Sequence, residues 1–392
     1  MPVAKISAAL EGRQEELVES LRQMVNIDSG SFTPDGVNRI ADLCEARLVS
    51  GGWDVERRPN DPPPGKPVLG DLLIGRLQGT EGPRVLLIGH TDTVFPEGTA
   101  EERSFRVEGS RGYGPGCSDM KGGLLAGLFA VEALQEAGGG GFGSLTFVCN
   151  PDEEIGSPFS SSFIVEEARR ADVAFVLESA RANGDVVAAR KGVRDARIDI
   201  IGRAAHAGVE PEKGRSAIVE AAHKAAALHA LNGRWPDVTV NVGVIEGGTR
   251  PNVVAERCRL EVDMRAARPE ILDQVEAEMR RIAETNVVPD VAVEVVSRSW
   301  HAPMEPSEGS RRLTELARAV ARDLGIEEPA AVSSGGASDG NTTAAAGVPT
   351  LDGLGPIGGG WHGPDEWVDV GSFPARIALL GGLIARAGQA LL

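Results

Sequence analysis

The apolar run Leu86–Leu87–Ile88–Gly89 ends in His90, and Asp92 follows two residues on. A histidine and a carboxylate there either close a buried strand as a hydrogen-bonded pair, or present a metal ligand with the acid that orients it. Three further stretches share the pattern. The loop GPGCSDMKGG carries Asp119 just before a helix-like stretch, LTFVCNPDEEIG contains the pair Glu153–Glu154, and VAFVLES carries Glu178. Each alone reads as ordinary, since strand-end histidines are often structural and adjacent glutamates are usually solvated. Four such features at one edge of one sheet read differently, because converging carboxylates repel unless protonated or neutralised by cations. His362, in the glycine-rich GGGWHGPDEW, adds a fifth candidate on a loop with little packing reason for it. Mixed histidine and carboxylate donors suit zinc, and also cobalt or manganese. Five donors exceed the usual complement of one tetrahedral zinc. They suit two metals that share a bridging carboxylate, lie roughly 3.5–4 Å apart and hold a hydroxide between them.

The elements that must position these groups follow from the hydrophobic pattern. GDLLIGRL, RVLLIGH, SLTFVCN and ADVAFVLE read as strands, MKGGLLAGLFAVEALQEAG and SSSFIVEEARR as helices between them. ADLCEARLVSGG reads as a helix with a glycine stop before the strand WDVERRP. This alternation predicts an α/β fold, a mixed sheet with helices on both faces, whose ligands gather beyond the carboxyl ends of the strands. Near residue 187 the pattern changes. VVAARKGVRDARIDIIG, VTVNVGVIEGG and VVAERCRLEVDMRA read as long alternating strands, accompanied by the helices SAIVEAAHKAAALHALN and PEILDQVEAEMRRIAET. That pattern predicts an α+β module with an antiparallel sheet. From about residue 303 the α/β pattern resumes, through LTELARAVARDLG to the closing helix PARIALLGGLIARAGQALL. The expected organisation is a catalytic domain over 1–187 and 303–392, interrupted by a smaller module over 188–302.

A chain of 392 residues exceeds what one core usually serves, consistent with two domains. Its 42% hydrophobic and 25% charged content is that of an ordinary soluble globular protein. A net charge of −17 argues against nucleic acid or an anionic membrane as partner. No uninterrupted apolar span reaches the ~20 residues that cross a bilayer, and in the opening MPVAKISAALEGRQEELVESL charge returns too soon for a secretory signal. Cys44, Cys117, Cys149 and Cys258 show neither disulfide-framework density nor CxxC spacing, so they read as buried thiols of a reducing compartment and the expected location is cytoplasmic.

Taken together, GHTDTV, GPGCSDMKGG, PDEEIGS, RAAHAG, GGTRPN and WHGPDE resemble the aminoacylase, acetylornithine deacetylase and glutamate carboxypeptidase family of dinuclear metallohydrolases, in order and spacing from about residue 80 to 370. Within that family the chain is most similar to the bacterial glutamate carboxypeptidases. The resemblance implies that the inserted module is a lid through which a homodimer forms. It implies that Asp119 is a bridging carboxylate, that His90 and Glu178 complete one metal site, and that Glu154 and His362 complete the other. Asp92 would hold the His90 ring in the correct tautomer. Glu153 would be the general base, taking a proton from the metal-bridging water and returning it to the leaving amine. His206 would reach an active site across the dimer interface and donate to the oxyanion. Asn252 and Arg265 would bind the substrate carboxylate, the arginine by a bidentate grip. Read without the resemblance, Arg265 is equally an ordinary strand charge. The expected cofactors are two divalent metal ions, zinc with cobalt or manganese as alternatives. The expected substrate is a small peptide or N-acyl amino acid from which a C-terminal amino acid is released. Two rival readings stand beside this: an N-acyl-amino-acid deacylase or dipeptidase with the same mechanism, and a non-catalytic metal-binding protein, which the intact Glu153 opposes. Arg181, Arg190, Lys191 and Arg298 are candidates to meet a glutamate side chain, none at an aligned position.

Overall fold

The stretches LLIG, VLLIG and VAFV place apolar residues at successive rather than alternate positions, the pattern of strands covered on both faces. In the computed structural model, which describes residues 3–391 apart from the side chains of Ser299 and Trp300, they lie in a six-stranded mixed sheet. Its strands are β1 (Asp54–Arg58), β2 (Leu72–Gln78), β3 (Arg84–His90), β4 (Ser144–Asn150), β5 (Val173–Val176) and the short Thr350–Leu351, in the spatial order β1-β2-β4-β3-β5 and then Thr350–Leu351. The pairs β1–β2 and β2–β4 are antiparallel. The pairs β4–β3 and β3–β5, and that of Thr350–Leu351 with β5, are parallel. The carboxyl ends of β3, β4 and β5 therefore meet at the same end of the sheet.

Alternation within each strand sorts its apolar side chains onto two faces. Leu73, Leu87, Phe147 and Phe175 pack into the larger core, with the helices Lys121–Glu136 and Phe373–Arg386. Leu86, Ile88, Val148 and Val176 pack on the other side, against Ile164 and Ala168 of the helix Ser161–Arg170. Helix Lys121–Glu136 lies so close to the sheet that a Cβ on Gly123 would meet the Leu177 carbonyl. That close approach places the helix start, and the loop before it, beside the strand ends.

The chain divides into two compact units. The first runs to Ala188 and resumes over Pro306–Ser333 and from Ser338 onward; the second comprises Ala189–Glu305 with Ser334–Ala337. The second is built on the strands β6 (Gly192–Ile201), β7 (Thr239–Gly247), β8 (Arg257–Ala266) and β9 (Ala292–His301), antiparallel throughout in the order β7-β8-β6-β9. Here burial does alternate: Ala196, Ile198 and Ile200 of β6 and Leu260, Val262 and Met264 of β8 form one core with the helices Ala217–His229 and Pro269–Glu284. The run VVAARKGVRDARIDIIG, expected as one strand, is two. Val186–Arg190 pairs with Ala331–Ser334, and β6 begins after Lys191 in the four-stranded sheet. The break falls where Gly192 is pressed against Pro303, leaving only 2.6 Å between an added Cβ and the proline Cδ. Among the described residues, no helix is long and apolar enough to cross a membrane.

Candidate metal centre

His90 is the last residue of β3, paired in register with Asn150 at the end of β4 and almost fully buried. Its Nε2 lies 3.2 Å from Asp119 Oδ1, 3.6 Å from Glu178 Oε1 and 4.0 Å from Glu153 Oε2. The other oxygen of Asp119, Oδ2, lies 3.1 Å from His362 Nε2, and the same nitrogen lies 3.2 Å from Glu154 Oε2. Asp119 thus faces one imidazole with each oxygen. Glu178 stands beside the first imidazole and Glu154 beside the second. Ligand atoms of His90, Asp119 and Glu154 all fall within 4.8 Å of one another, close enough to share an ion.

Asp92 links two of the elements that carry these groups. His90 Nδ1 lies 3.0 Å from the Asp92 carbonyl oxygen and 3.4 Å from its carboxylate. With Nδ1 turned in that direction, Nε2 is the ring nitrogen presented to Asp119 and Glu178. The Asp92 carboxylate also accepts the Ser31 hydroxyl at 2.7 Å and the backbone N–H groups of Glu153 and Glu154 at 3.1 and 3.2 Å. One buried side chain therefore ties the end of β3 to the 3₁₀ turn Glu153–Ile155.

The loop bearing Asp119 is held from two sides. Lys121 is buried, and its Nζ donates to the carbonyls of Ile27 at 2.8 Å and Pro115 at 3.4 Å, while burial lowers its pKa to about 8. The buried Glu366 carboxylate accepts three backbone N–H groups, from Gly116, Ser118 and Asp119, each at 2.9 Å. Sequence reasoning did not single out Glu366; its one signal is its place in WHGPDE.

Burial dominates the electrostatics. It pushes Glu153 well above the usual carboxylate range, against the attraction of His90 and with the repulsion of Glu178, Glu154 and Asp339. It pushes Glu154 up to about 7, with Asp119 adding to the effect. For Asp119 burial acts in the same direction, but hydrogen bonds from His362 and His90 outweigh it and hold the carboxyl low. Hydrogen bonds to Asp119 and Glu154 raise His362 to about 10. Four carboxylates and two imidazoles share this space, and converging carboxylates call for compensating positive charge. Glu154 Oε1, moreover, is buried without a hydrogen-bond partner. Such a donor set, with an orphaned carboxylate oxygen beside imidazole nitrogens, fits divalent cations.

Of the remaining candidates, Arg181 lies in the first unit and the others in the second. His206 is exposed on the segment after β6, in an antiparallel bridge with Val253, and the N–H of Ala207 donates to the Asn252 carbonyl at 3.0 Å. His206 and Asn252 are therefore carried on adjoining backbone segments. Arg265, on β8, forms an ion pair with Asp263 at 2.9 Å and donates to the Gly335 carbonyl at 3.0 Å. Arg298 sits on β9 in register with Asp195. Arg190 is buried and donates to the Gly336 carbonyl at 3.0 Å. His301 is also buried, with Nδ1 unpartnered, and burial together with Arg190 lowers its pKa to about 4.

Residues 86–386 match the model of the peptidase family M20/M25/M40. The chain is 30% identical over 386 residues to carboxypeptidase G2 of Pseudomonas sp. (strain RS-16), covering 97% of this chain and 91% of that one. It is 30% identical over 379 residues to succinyl-diaminopimelate desuccinylase of Stenotrophomonas maltophilia (strain R551-3), covering 91% and 95%. The crystal structure of aminopeptidase PepT from Bacillus cereus superimposes with a TM-score of 0.76 at 25% identity, covering 95% of this chain and 98% of that one. The chain belongs to peptidase family M20/M25/M40, hydrolases of peptide or amide bonds that are typically metal-dependent.

Proposed function

We propose that the protein is a dinuclear metal-dependent carboxypeptidase, releasing a C-terminal amino acid from a small peptide or an N-acyl amino acid in the manner of a glutamate carboxypeptidase. The observation that carries this reading is the placement of Asp119, with one oxygen toward His90 and the other toward His362. Two divalent ions, zinc with cobalt or manganese as alternatives, would be held by Asp119 with His90 and Glu178 on one side and with Glu154 and His362 on the other, and when bound they supply Lewis acidity to the scissile carbonyl and to an attacking water.

The chain's own residues supply the rest. Glu153 stands at the edge of the cluster, mostly buried, 4.0 Å from His90 Nε2, and its high proton affinity suits it to take a proton from water and deliver it to the leaving amine. Asp92 keeps Glu153 in place through its backbone and keeps His90 aimed. His206 of the partner subunit in a homodimer would donate to the oxyanion, a hydrogen bond made mainly in the transition state. Asn252 and Arg265 would bind the substrate carboxylate, which competes with Asp263 for the arginine. The name of the carboxypeptidase relative supports the C-terminal reading. The desuccinylase relative supports a second one, deacylation of an N-acyl amino acid by the same residues. We place the enzyme in the cytoplasm.

Initial rates of the metal-loaded protein on acyl-glutamates, acetyl-amino acids and dipeptides, each with a free and an amidated terminal carboxyl, test the proposal. Hydrogen bonds to a charged group contribute roughly 1.5–3 kcal/mol, so amidation is expected to lower kcat/KM at least about tenfold. Equal rates on amides and acids would contradict carboxylate recognition. Faster cleavage of acyl-alanine than of acyl-glutamate would overturn the glutamate preference and leave the mechanism standing.

A further inference from the structure

The loop that carries His362 is fastened on both sides of the histidine. One residue before it, the Trp361 indole N–H reaches the hydroxyls of Ser118 at 3.1 Å and Ser179 at 2.7 Å, the immediate neighbours of Asp119 and Glu178. Four residues after it, the Glu366 carboxylate takes the N–H of Gly116 on one oxygen and those of Ser118 and Asp119 on the other. Around the histidine the backbone is tight. Gly363 N–H donates to the Gly360 carbonyl at 3.0 Å, and an added Cβ on Gly360 would stand 2.7 Å from the Asp365 carbonyl. His362 itself has φ +61°, in the left-handed region, where a residue with a side chain persists only if its surroundings over-determine it.

Glu366 engages the backbone of Asp119, which His362 must meet, and Trp361 engages the side-chain neighbours of Asp119 and Glu178. Glu366 reaches the Asp119 N–H itself, so one carboxylate sets the carboxylate of Asp119 and the histidine loop relative to each other. The three N–H groups it accepts lie just before the helix Lys121–Glu136, where an anion is also favoured by the helix dipole. Glutamine at 366 would lose at least one of these bonds and turn an NH₂ toward N–H donors.

We propose that Trp361 and Glu366 are positioning residues that hold His362 against Asp119 and so set the affinity of one half of the metal pair, the half bounded by Asp119, Glu154 and His362. The proposal rests on the metal-binding reading of His362 and Asp119. Zinc titrations of the apo protein, followed calorimetrically and with thermal melts alongside, compare wild type, Glu366→Gln, Trp361→Phe, His362→Ala and His90→Ala. The equivalent lost in His362→Ala is expected to weaken at least about tenfold in Glu366→Gln, within the 10–100-fold range for partners that orient a ligand, and about threefold in Trp361→Phe. The equivalent lost in His90→Ala is expected to stay within about twofold. Unchanged affinities in Glu366→Gln, or equal weakening of both equivalents, overturn the proposal. If Glu366→Gln does not fold, unchanged affinity in Trp361→Phe overturns it instead. If His362→Ala itself binds two equivalents as wild type does, the metal-binding reading has failed rather than the positioning role.

Discussion

Glu153 and Glu154 are neighbours in sequence with different surroundings. Glu154 meets His362 at 3.2 Å, whereas Glu153 stands back, 4.0 Å from His90 Nε2, and burial raises its proton affinity. That contrast underlies the two roles proposed for them. Glu153→Gln keeps every proposed ligand and removes the base, so it is expected to retain its metal content and lose about 10²–10⁴-fold in turnover. Metal analysis beside kcat measures this, and near-native turnover would show that the proton travels elsewhere. His90, Asp119, Glu154, Glu178 and His362 were all legible as candidates, because apolar runs and glycine-rich loops that end on a polar residue are conspicuous. Glu366 was not, since a carboxylate that accepts three backbone N–H groups looks in sequence like any solvated acid.

At the scale of elements, the strands were readable where burial was uniform and less so where the chain changes sheet. The stretch through Lys191 keeps strand-like residues on both sides, and only the packing of Gly192 on Pro303 marks the break. Lys224 is a comparable case within the helix Ala217–His229. It is buried, with Nζ 3.1, 2.8 and 3.0 Å from the carbonyls of Ile282, Ala283 and Thr285 and 2.8 Å from Glu220. It caps the end of the helix Pro269–Glu284, from a partner some sixty positions away that no local pattern reveals. Glu220 in turn accepts the N–H groups of Val287 and Val288. Lys224→Met would strand that buried carboxylate and is expected to destabilise the protein by about 3–5 kcal/mol, with Glu220→Gln in the same chain restoring part of the loss. Urea unfolding measures both, and a change under about 1 kcal/mol would contradict the pairing.

At the scale of the whole molecule, the two units carry different parts of the proposed chemistry: His90, Asp92, Asp119, Glu153, Glu154, Glu178 and His362 in the first, His206, Asn252 and Arg265 in the second. The homodimer we propose makes a specific demand. Two inactive variants, His206→Ala and Glu153→Gln, when mixed under conditions of verified subunit exchange, are expected to regain activity, because a heterodimer then holds one site with both groups intact. No recovery despite exchange would confine His206 to its own subunit's site or remove it from catalysis.

The central claim is that hydrolysis depends on a pair of metals gathered around Asp119. Stepwise return of zinc, cobalt or manganese to the chelated apo protein, with bound metal and turnover on an acyl-glutamate read in the same samples, tests it most directly. Activity is expected to be absent in the apo protein and to reach its maximum as bound metal approaches two equivalents. Full turnover with no bound metal, or binding of two equivalents by an Asp119→Ala variant at wild-type affinity, would contradict the claim.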